Sequence, residues 1–270
     1  MNARLAWLLI VSLLILAGEA LAFEKRDLDR LVDLQKRKKY CEASLLASRC
    51  LADRTVDHNL DRCLYIGENV TLECLFEYSD KVFTPLQKKG QLAQIEKLNI
   101  QKFDKLKLEK RKKIFVYSTE LYEYSNDYAK RHVELFKTSR YREEMLLVLV
   151  SHILWHLDRW EAYVRDFEKE FPNSKDMSYV QCLLGEYYYS HWAYENLDLS
   201  NRVVQKVRAD SNSAEAKQLR ERALSYLTKV KNQPPTRTIP HCEIGSIDEA
   251  LKHLSQPGIP PNPIGFFLMN

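Results

Sequence analysis

Between Phe23 and Lys231 the chain has only three glycines, Gly67, Gly90 and Gly185, and two prolines, Pro85 and Pro172. Sheets joined by tight turns need those residues at frequent intervals, because glycine supplies positive φ and proline stops regular structure. A span this poor in breakers predicts helices. It also leaves no room for a glycine-rich phosphate loop, and no G-x-S-x-G, Walker or dinucleotide fingerprint is present. Charged residues make up 29% of the chain and aromatics 11%. That balance fits a packed core rather than a disordered chain.

The N-terminus reads as an export signal. Arg4 precedes an apolar run from Leu5 to Ala17, broken by Ser12, and Ala20-Leu21-Ala22 follows Gly18 and Glu19. A basic start, a short apolar core and an A-x-A end predict cleavage after Ala22. The run is short for a membrane span, and no later stretch is long and apolar enough to make one. The expected location is periplasmic or secreted. The formal net charge of +4 is unaffected by cleavage, since Arg4 and Glu19 leave together.

All six cysteines follow the signal: Cys41, Cys50, Cys63, Cys74, Cys182 and Cys242. An even number in an exported chain points to disulfides. The first four fall in two helical patterns, with a turn expected between Thr55 and Asn59. In an antiparallel hairpin the outer pair is Cys41–Cys74 and the inner pair Cys50–Cys63, an arrangement that resembles twin-cysteine helical hairpins with different spacings. Cys182–Cys242 would then tie the C-terminal tail to the middle of the chain. The absence of C-x2-C argues against a thioredoxin-type site or a zinc ribbon. Asn69-Val70-Thr71 is a glycosylation sequon, relevant only in a eukaryotic secretory route.

The most informative stretch is Ala162 to Gly185. Tyr163, Phe167 and Phe171 recur at helical spacing on one face, with Arg165, Glu168 and Lys169 on the other. Pro172 ends that helix, Asn173 and Ser174 suit a turn or cap, and a second apolar run begins at Tyr179. Gly185 sits inside this second pattern, where it costs about 1 kcal/mol relative to alanine. Close approach of a neighbouring helix is one reason for a chain to accept that cost.

Phe171-Pro172-Asn173-Ser174, followed by Leu184-Gly185-Glu186-Tyr187-Tyr188, resembles tetratricopeptide-type repeats, whose signature includes L-G-x2-Y and a proline closing the second helix. The subclass it looks most like is that of the outer-membrane β-barrel assembly lipoproteins and related periplasmic proteins. Asn212-Ser213, with Ala214, Ala216 and Ala223 after it, echoes the turn at more than the usual repeat length. The resemblance covers roughly Tyr117 to Lys231 and is specific over Ala162 to Tyr188. Gln181 stands where the repeat has Trp, and Leu197 and Asn201 where it has Ala and Phe. No cysteine lies near the cleavage point to carry the lipid anchor of those lipoproteins. The resemblance implies antiparallel helical hairpins stacked as a tetratricopeptide-like (TPR-like) array and a scaffolding role in the cell envelope.

The expected organisation is a signal at 1–22, a stapled helical region at 23–116, TPR-like repeats at 117–231 and a proline-rich tail at 232–270. Within the second region, 87–113 is lysine-rich with one narrow apolar face. Ile114 to Tyr117 could be a short strand, but the helical surroundings favour a helix entry, and a tyrosine-rich helix follows with Leu121, Tyr122, Tyr124, Tyr128, Val133 and Leu135. Met145 to Leu157 is almost continuously apolar, the pattern of a helix buried on most sides. In the tail, Ser246-Ile247-Asp248-Glu249 is a capping box, which predicts a helix over Ile247 to Leu254. The apolar end, Ile264 to Met269, is expected to fold back or dock on a partner.

Two functional readings follow. The first is a non-enzymatic all-α adaptor that binds a protein or peptide partner. Its candidate contact residues are Tyr187, Tyr188, Trp192 and Tyr194, because Tyr and Trp combine large apolar area with a polar tip. The basic runs Lys36 to Lys39 and Lys110 to Lys113 offer peripheral contact with an anionic membrane surface, or are simply solvated helix faces. Nucleic acid is not expected in an exported setting, and no cofactor is implied. The second reading is a metal site at His152 and His156, four apart on the apolar helix, with Asp158 or Glu161 as further ligands. Ile153 occupies the position where H-E-x-x-H requires its catalytic glutamate.

Overall fold

In a computed structural model the described residues form an all-α fold with two short two-stranded ladders. The structure describes residues 23–78, 115–117, 122–124, 126–151, 159–195, 206–234, 244–256, 258–260 and 263. The described helices are α1 (Lys25–Lys36), α2 (Tyr40–Ala47), α3 (His58–Tyr78), α4 (Asp127–Leu135), α5 (Arg142–Ser151), α6 (Trp160–Glu170), α7 (Met177–Ala193), α8 (Ala214–Asn232) and α9 (Ile244–Ser255). A single turn of 3-10 helix, Ser48–Leu51, continues α2. The chain divides into two compact units, 1–145 and 146–270.

The first unit is built on α3. Leu28, Leu31 and Leu34 of α1 recur at three-residue intervals and are all buried. They share a core with Ala43, Ala47, Leu60, Leu64, Ile66 and Val70. Each such side chain contributes roughly 1.5–3 kcal/mol when fully removed from water. Asp57 starts α3 by accepting a hydrogen bond from the Leu60 amide at 2.8 Å, which fills one of the orphan donors of the first turn. Two disulfides clamp α2 and its 3-10 extension to α3 in antiparallel register, as the spacing predicts. Cys41–Cys74 has a Cα separation of 4.9 Å and Cys50–Cys63 one of 6.3 Å. Between them the Ser44 and Thr71 hydroxyls share a buried hydrogen bond of 2.8 Å. Thr71 of the sequon is thus enclosed in the hairpin.

The expected helix around Tyr122 and Tyr124 is not formed. Strand β1 (Phe115–Tyr117) pairs antiparallel with β2 (Tyr122–Tyr124), with Phe115 opposite Tyr124. Aromatic and β-branched residues favour a pleated strand over a helix. Asn126 then adopts φ 54, ψ 39, a left-handed conformation that a helix cannot propagate through. The helix therefore begins only at Asp127.

In the second unit, α7 packs most extensively on α8. Their pairing is antiparallel: Ser178 donates to the Gln233 carbonyl, and further along Tyr188 stacks on Tyr226. Gly185 lies at the closest approach. A Cβ there would sit 2.5 Å from Leu227 Cδ2 and 2.7 Å from its Cγ, so the glycine is what lets α8 seat. The turn before α7 follows the sequence reading. Helix α6 ends at Glu170, and Ser174 Oγ accepts from the Asp176 amide at 3.0 Å. Ser213 caps α8 through Ala216 at 3.1 Å. Strands β3 (Tyr194–Glu195) and β4 (Lys206–Val207) form a short antiparallel ladder between α7 and α8.

The tail returns onto this unit. Helix α9 starts at Ile244, so Ser246 lies inside its first turn rather than capping it. Arg220 of α8 donates from Nε to the Leu254 carbonyl at 2.7 Å and from Nη2 to the Gln256 carbonyl at 3.1 Å, satisfying backbone acceptors at the end of α9. Tyr194 Oη donates to the Pro263 carbonyl at 2.9 Å. Cys182 is disulfide-bonded; Cys242 lies outside the described residues, as do Lys110 to Lys113, the 87–113 stretch, His152 and His156.

Candidate partner-binding groove

Helices α6, α7 and α8 enclose a groove of about 310 Å³ lined by Glu161, Val164, Arg165, Glu168, Leu184, Tyr188, Arg222 and Tyr226. Each helix supplies residues three or four apart, so each presents one face. On α6, Tyr163 and Phe167 turn into the core, which leaves Glu161, Arg165 and Glu168 toward the groove. The Trp160 ring meets Tyr187 with centroids 4.9 Å apart. At the groove, Tyr188 and Tyr226 stack across α7 and α8 with centroids 5.9 Å apart and planes 18° apart. The Arg222 guanidinium lies 5.2 Å over the Tyr188 ring, and Nη1 donates to Tyr188 Oη at 3.4 Å. Lys229 Nζ lies 5.1 Å over Tyr226.

The electrostatics are set by burial and then by the glutamates. Burial pushes the Glu168 carboxyl above its ordinary range, and Lys229 offsets part of that rise. Burial also raises the phenols of Tyr187, Tyr188 and Tyr226. At Tyr188 the next influence is Glu161, ahead of Arg222. At Tyr226 it is Glu168, again ahead of Arg222. The hydroxyl ends of the stacked pair therefore feel both the carboxylates of Glu161 and Glu168 and the Arg222 guanidinium. Glu161 meets Arg165 only at 3.8 Å with both side chains largely exposed, an ion pair of little net worth in solvent.

The four expected contact residues separate. Tyr188 lines the groove, and Tyr187 is half-buried beside Trp160 and His191. Trp192 is 1% exposed and Tyr194 8%, so both are core residues: Trp192 lies one turn beyond Tyr188 on α7, Tyr194 lies in β3, and neither lines the groove. Tyr189 is fully buried and its hydroxyl shares a 2.7 Å hydrogen bond with His253 Nδ1 of α9. Tyr226, Arg222, Glu161 and Glu168 were not among the expected residues. The signal for them is the i, i+4 spacing of Arg222 and Tyr226, together with the polar face of α6.

One further buried group lies outside the groove. Glu186, beside Gly185, is 1% exposed, and burial pushes its carboxyl up to about 8. Its Oε1 is 3.6 Å from Cys182 Sγ. A disulfide sulfur has no proton to give, so the protonated carboxyl is the donor in that contact.

Fold and site together define an all-α protein with a disulfide-stapled N-terminal hairpin and an aromatic groove of mixed charge in its second unit. No family model, curated protein or solved structure matches the chain. Among the described residues, no helix is long and apolar enough to cross a membrane.

Proposed function

We propose that the protein is an exported, non-enzymatic adaptor of TPR-like build, and that its groove takes a basic side chain from a segment of a protein partner. The observation that carries this reading is the Tyr188–Tyr226 stack set beside Glu161 and Glu168. The phenol faces already carry cations of this chain, Arg222 over Tyr188 and Lys229 over Tyr226, as their quadrupole favours, so a partner's cation would be met by the groove's carboxylates. A partly desolvated carboxylate such as Glu168 gains most from a cation that replaces lost water. The packing of α7 on α8 and of α8 on α9 supports the stacked-hairpin reading. Two disulfides fit an oxidising compartment.

The test is affinity capture by the protein purified from an exporting host, under oxidising conditions, with two variants beside it. Tyr188→Ala/Tyr226→Ala removes the stack and Glu161→Lys/Glu168→Lys reverses the field. One dominant partner lost from both variants, with helical circular dichroism unchanged, is the expected result. A partner retained by both variants would remove the groove from the account.

A further inference from the structure

The first described residue is already part of the core. Phe23 is 4% exposed and packs in the same cluster as Leu28, Leu31 and Leu64. Glu24 stands at the N-cap position of α1 without a side-chain capping bond, so Phe23 and Leu28 occupy the flanking positions of a hydrophobic staple, which fixes how the chain enters a helix. The backbone nitrogen of Phe23 lies 2.6 Å from Asp53 Oδ2 in a buried contact. Asp53 is itself 6% exposed. Its other carboxylate oxygen accepts from the Thr55 amide at 2.9 Å. Arg131 reaches the same corner, donating to the backbone carbonyls of Leu51 and Asp53.

A buried carboxylate is costly unless a positive charge or several donors compensate it. An amide nitrogen supplies one neutral N–H at this position. A free α-amino group supplies a full charge and three donors at the same atom. We propose that the chain is cut between Ala22 and Phe23, and that the freed α-ammonium of Phe23 forms a buried ion pair with Asp53. The cut is a hydrolysis by a protease of the export route. Water's hydroxyl goes to the Ala22 carbonyl carbon, the C–N bond breaks, and the Phe23 nitrogen leaves as an amine. At neutral pH the new acid gives up its proton and the amine takes one. Removing residues 1–22 thus completes the corner built from Phe23, Asp53, Thr55 and Arg131. Burial raises the Asp53 carboxyl, but hydrogen bonds from Thr55 and Phe23 and the charge of Arg131 outweigh it, and the carboxyl stands below its ordinary value. That is the direction an ion-pair receptor requires. This inference rests on the export reading and is independent of the groove.

The experiment expresses the full chain in an exporting host and reads the N-terminus of the product by sequencing and intact mass. It then compares that product with a form that keeps Ala22, each with and without Asp53→Asn. The expected product begins at Phe23. The form retaining Ala22 melts about 4 °C or more lower, and Asp53→Asn abolishes the difference. The Phe23 amine also reacts with an acylating reagent about tenfold more slowly in the folded protein than in urea, the protection expected when an amine must leave a buried ion pair. A product beginning at any other residue would overturn the proposal together with the predicted cut. A correct cut with equal melting of the two forms would overturn the ion pair and leave export standing. If Asp53→Asn does not fold, the amine reactivity decides, and equal rates folded and unfolded would sink the pairing.

Discussion

Each unit is centred on a long helix that carries the dipeptide Gly-Glu at its tightest contact, and the two glutamates meet different surroundings. In α3, a Cβ on Gly67 would lie 2.7 Å from the Tyr128 ring and 3.2 Å from Ala47 Cβ. In α7, Gly185 plays the same part against Leu227. The residue after each glycine is a buried glutamate. Glu68 faces the start of α4 and accepts from the Asn126 side-chain amide at 2.7 Å and the Ala129 amide at 3.0 Å. A helix N-terminus offers free N–H groups and a positive dipole end, which favour a carboxylate. Glu186 sits beside a disulfide sulfur instead, and burial pushes its carboxyl up to about 8. One dipeptide at one kind of packing position thus serves as a hydrogen-bond acceptor at a helix start in one unit and as a carboxyl pushed up by burial in the other. What the glutamate faces decides between them.

The largest effect that would sharpen this comparison comes from the staples. Replacing Cys41 and Cys74 by serine opens a loop of sequence separation 33. The expected cost is about 3–4 kcal/mol by denaturant unfolding. Loss of less than about 1 kcal/mol would mean that the first unit does not depend on its hairpin clamp.

Next come the glutamates. Glu68→Gln is expected to cost about 1.5–3 kcal/mol at neutral pH, because charge-assisted bonds to Asn126 and the α4 terminus are weakened. Glu186→Gln is expected to be neutral within about 0.5 kcal/mol at pH 6. The pH dependence separates them further. Glu186 has an ordinary value of 4.5 and a folded value of about 8, so the folded state holds its proton where the unfolded state has lost it. Stability from this group therefore falls as pH rises across that window, by on the order of 1 kcal/mol per pH unit, and levels off above it. Urea titrations at pH 5 and pH 8 should show this slope in the wild type and lose it in Glu186→Gln. An unchanged slope would contradict the neutral-acid state.

The glycines rank third. Gly67→Ala meets an aromatic ring and a second side chain, and about 2–3 kcal/mol of destabilisation is expected. Gly185→Ala meets Leu227 at Cδ2, Cγ and the backbone nitrogen, so a similar cost of about 2–3 kcal/mol is expected. Leu227→Ala should make part of the Gly185→Ala cost disappear in a double-mutant cycle. Strict additivity would show that the two residues do not touch.

A smaller effect lies on the acid side. His132 Nε2 donates to Asp61 Oδ1 at 2.7 Å. Burial lowers its value from 6.5 despite that carboxylate, so the folded state binds fewer protons than the unfolded one. Stability from this group is lost as pH falls through 6.5, and His132→Gln should flatten that limb. The smallest effect expected is at the exposed Lys231–Asp248 pair, 2.7 Å apart. Lys231→Ala should change stability by about 0.5 kcal/mol or less.

Helices, the stapled hairpin and the proline turn were legible because each rests on local pattern. Pro172 stops a helix wherever it stands, and the spacing of the first four cysteines admits an antiparallel clamp. Gly185 was legible as a close approach, but not its target, because Leu227 is distant in sequence. The strands at Phe115 and Tyr122 were hidden by helical surroundings, and Asn126 gives no sign of its left-handed backbone. The aromatic run of α7 was visible as a cluster. Which of its rings face the groove was not, since Trp192 is buried and Tyr194 is tied to the distant Pro263 carbonyl. The groove's carboxylates come from α6 and its second tyrosine from α8, and only the fold brings those faces together.

The central claim is that the groove between α6, α7 and α8 receives a basic side chain of a partner protein. The most direct measurement places a photo-crosslinking residue at Tyr226, and in a second protein at exposed Lys175, and identifies what each captures. The account predicts a single adduct at position 226, on a segment carrying lysine or arginine, and none at 175. Equal capture at both positions, or an adduct at 226 on a segment without a basic residue, would contradict it.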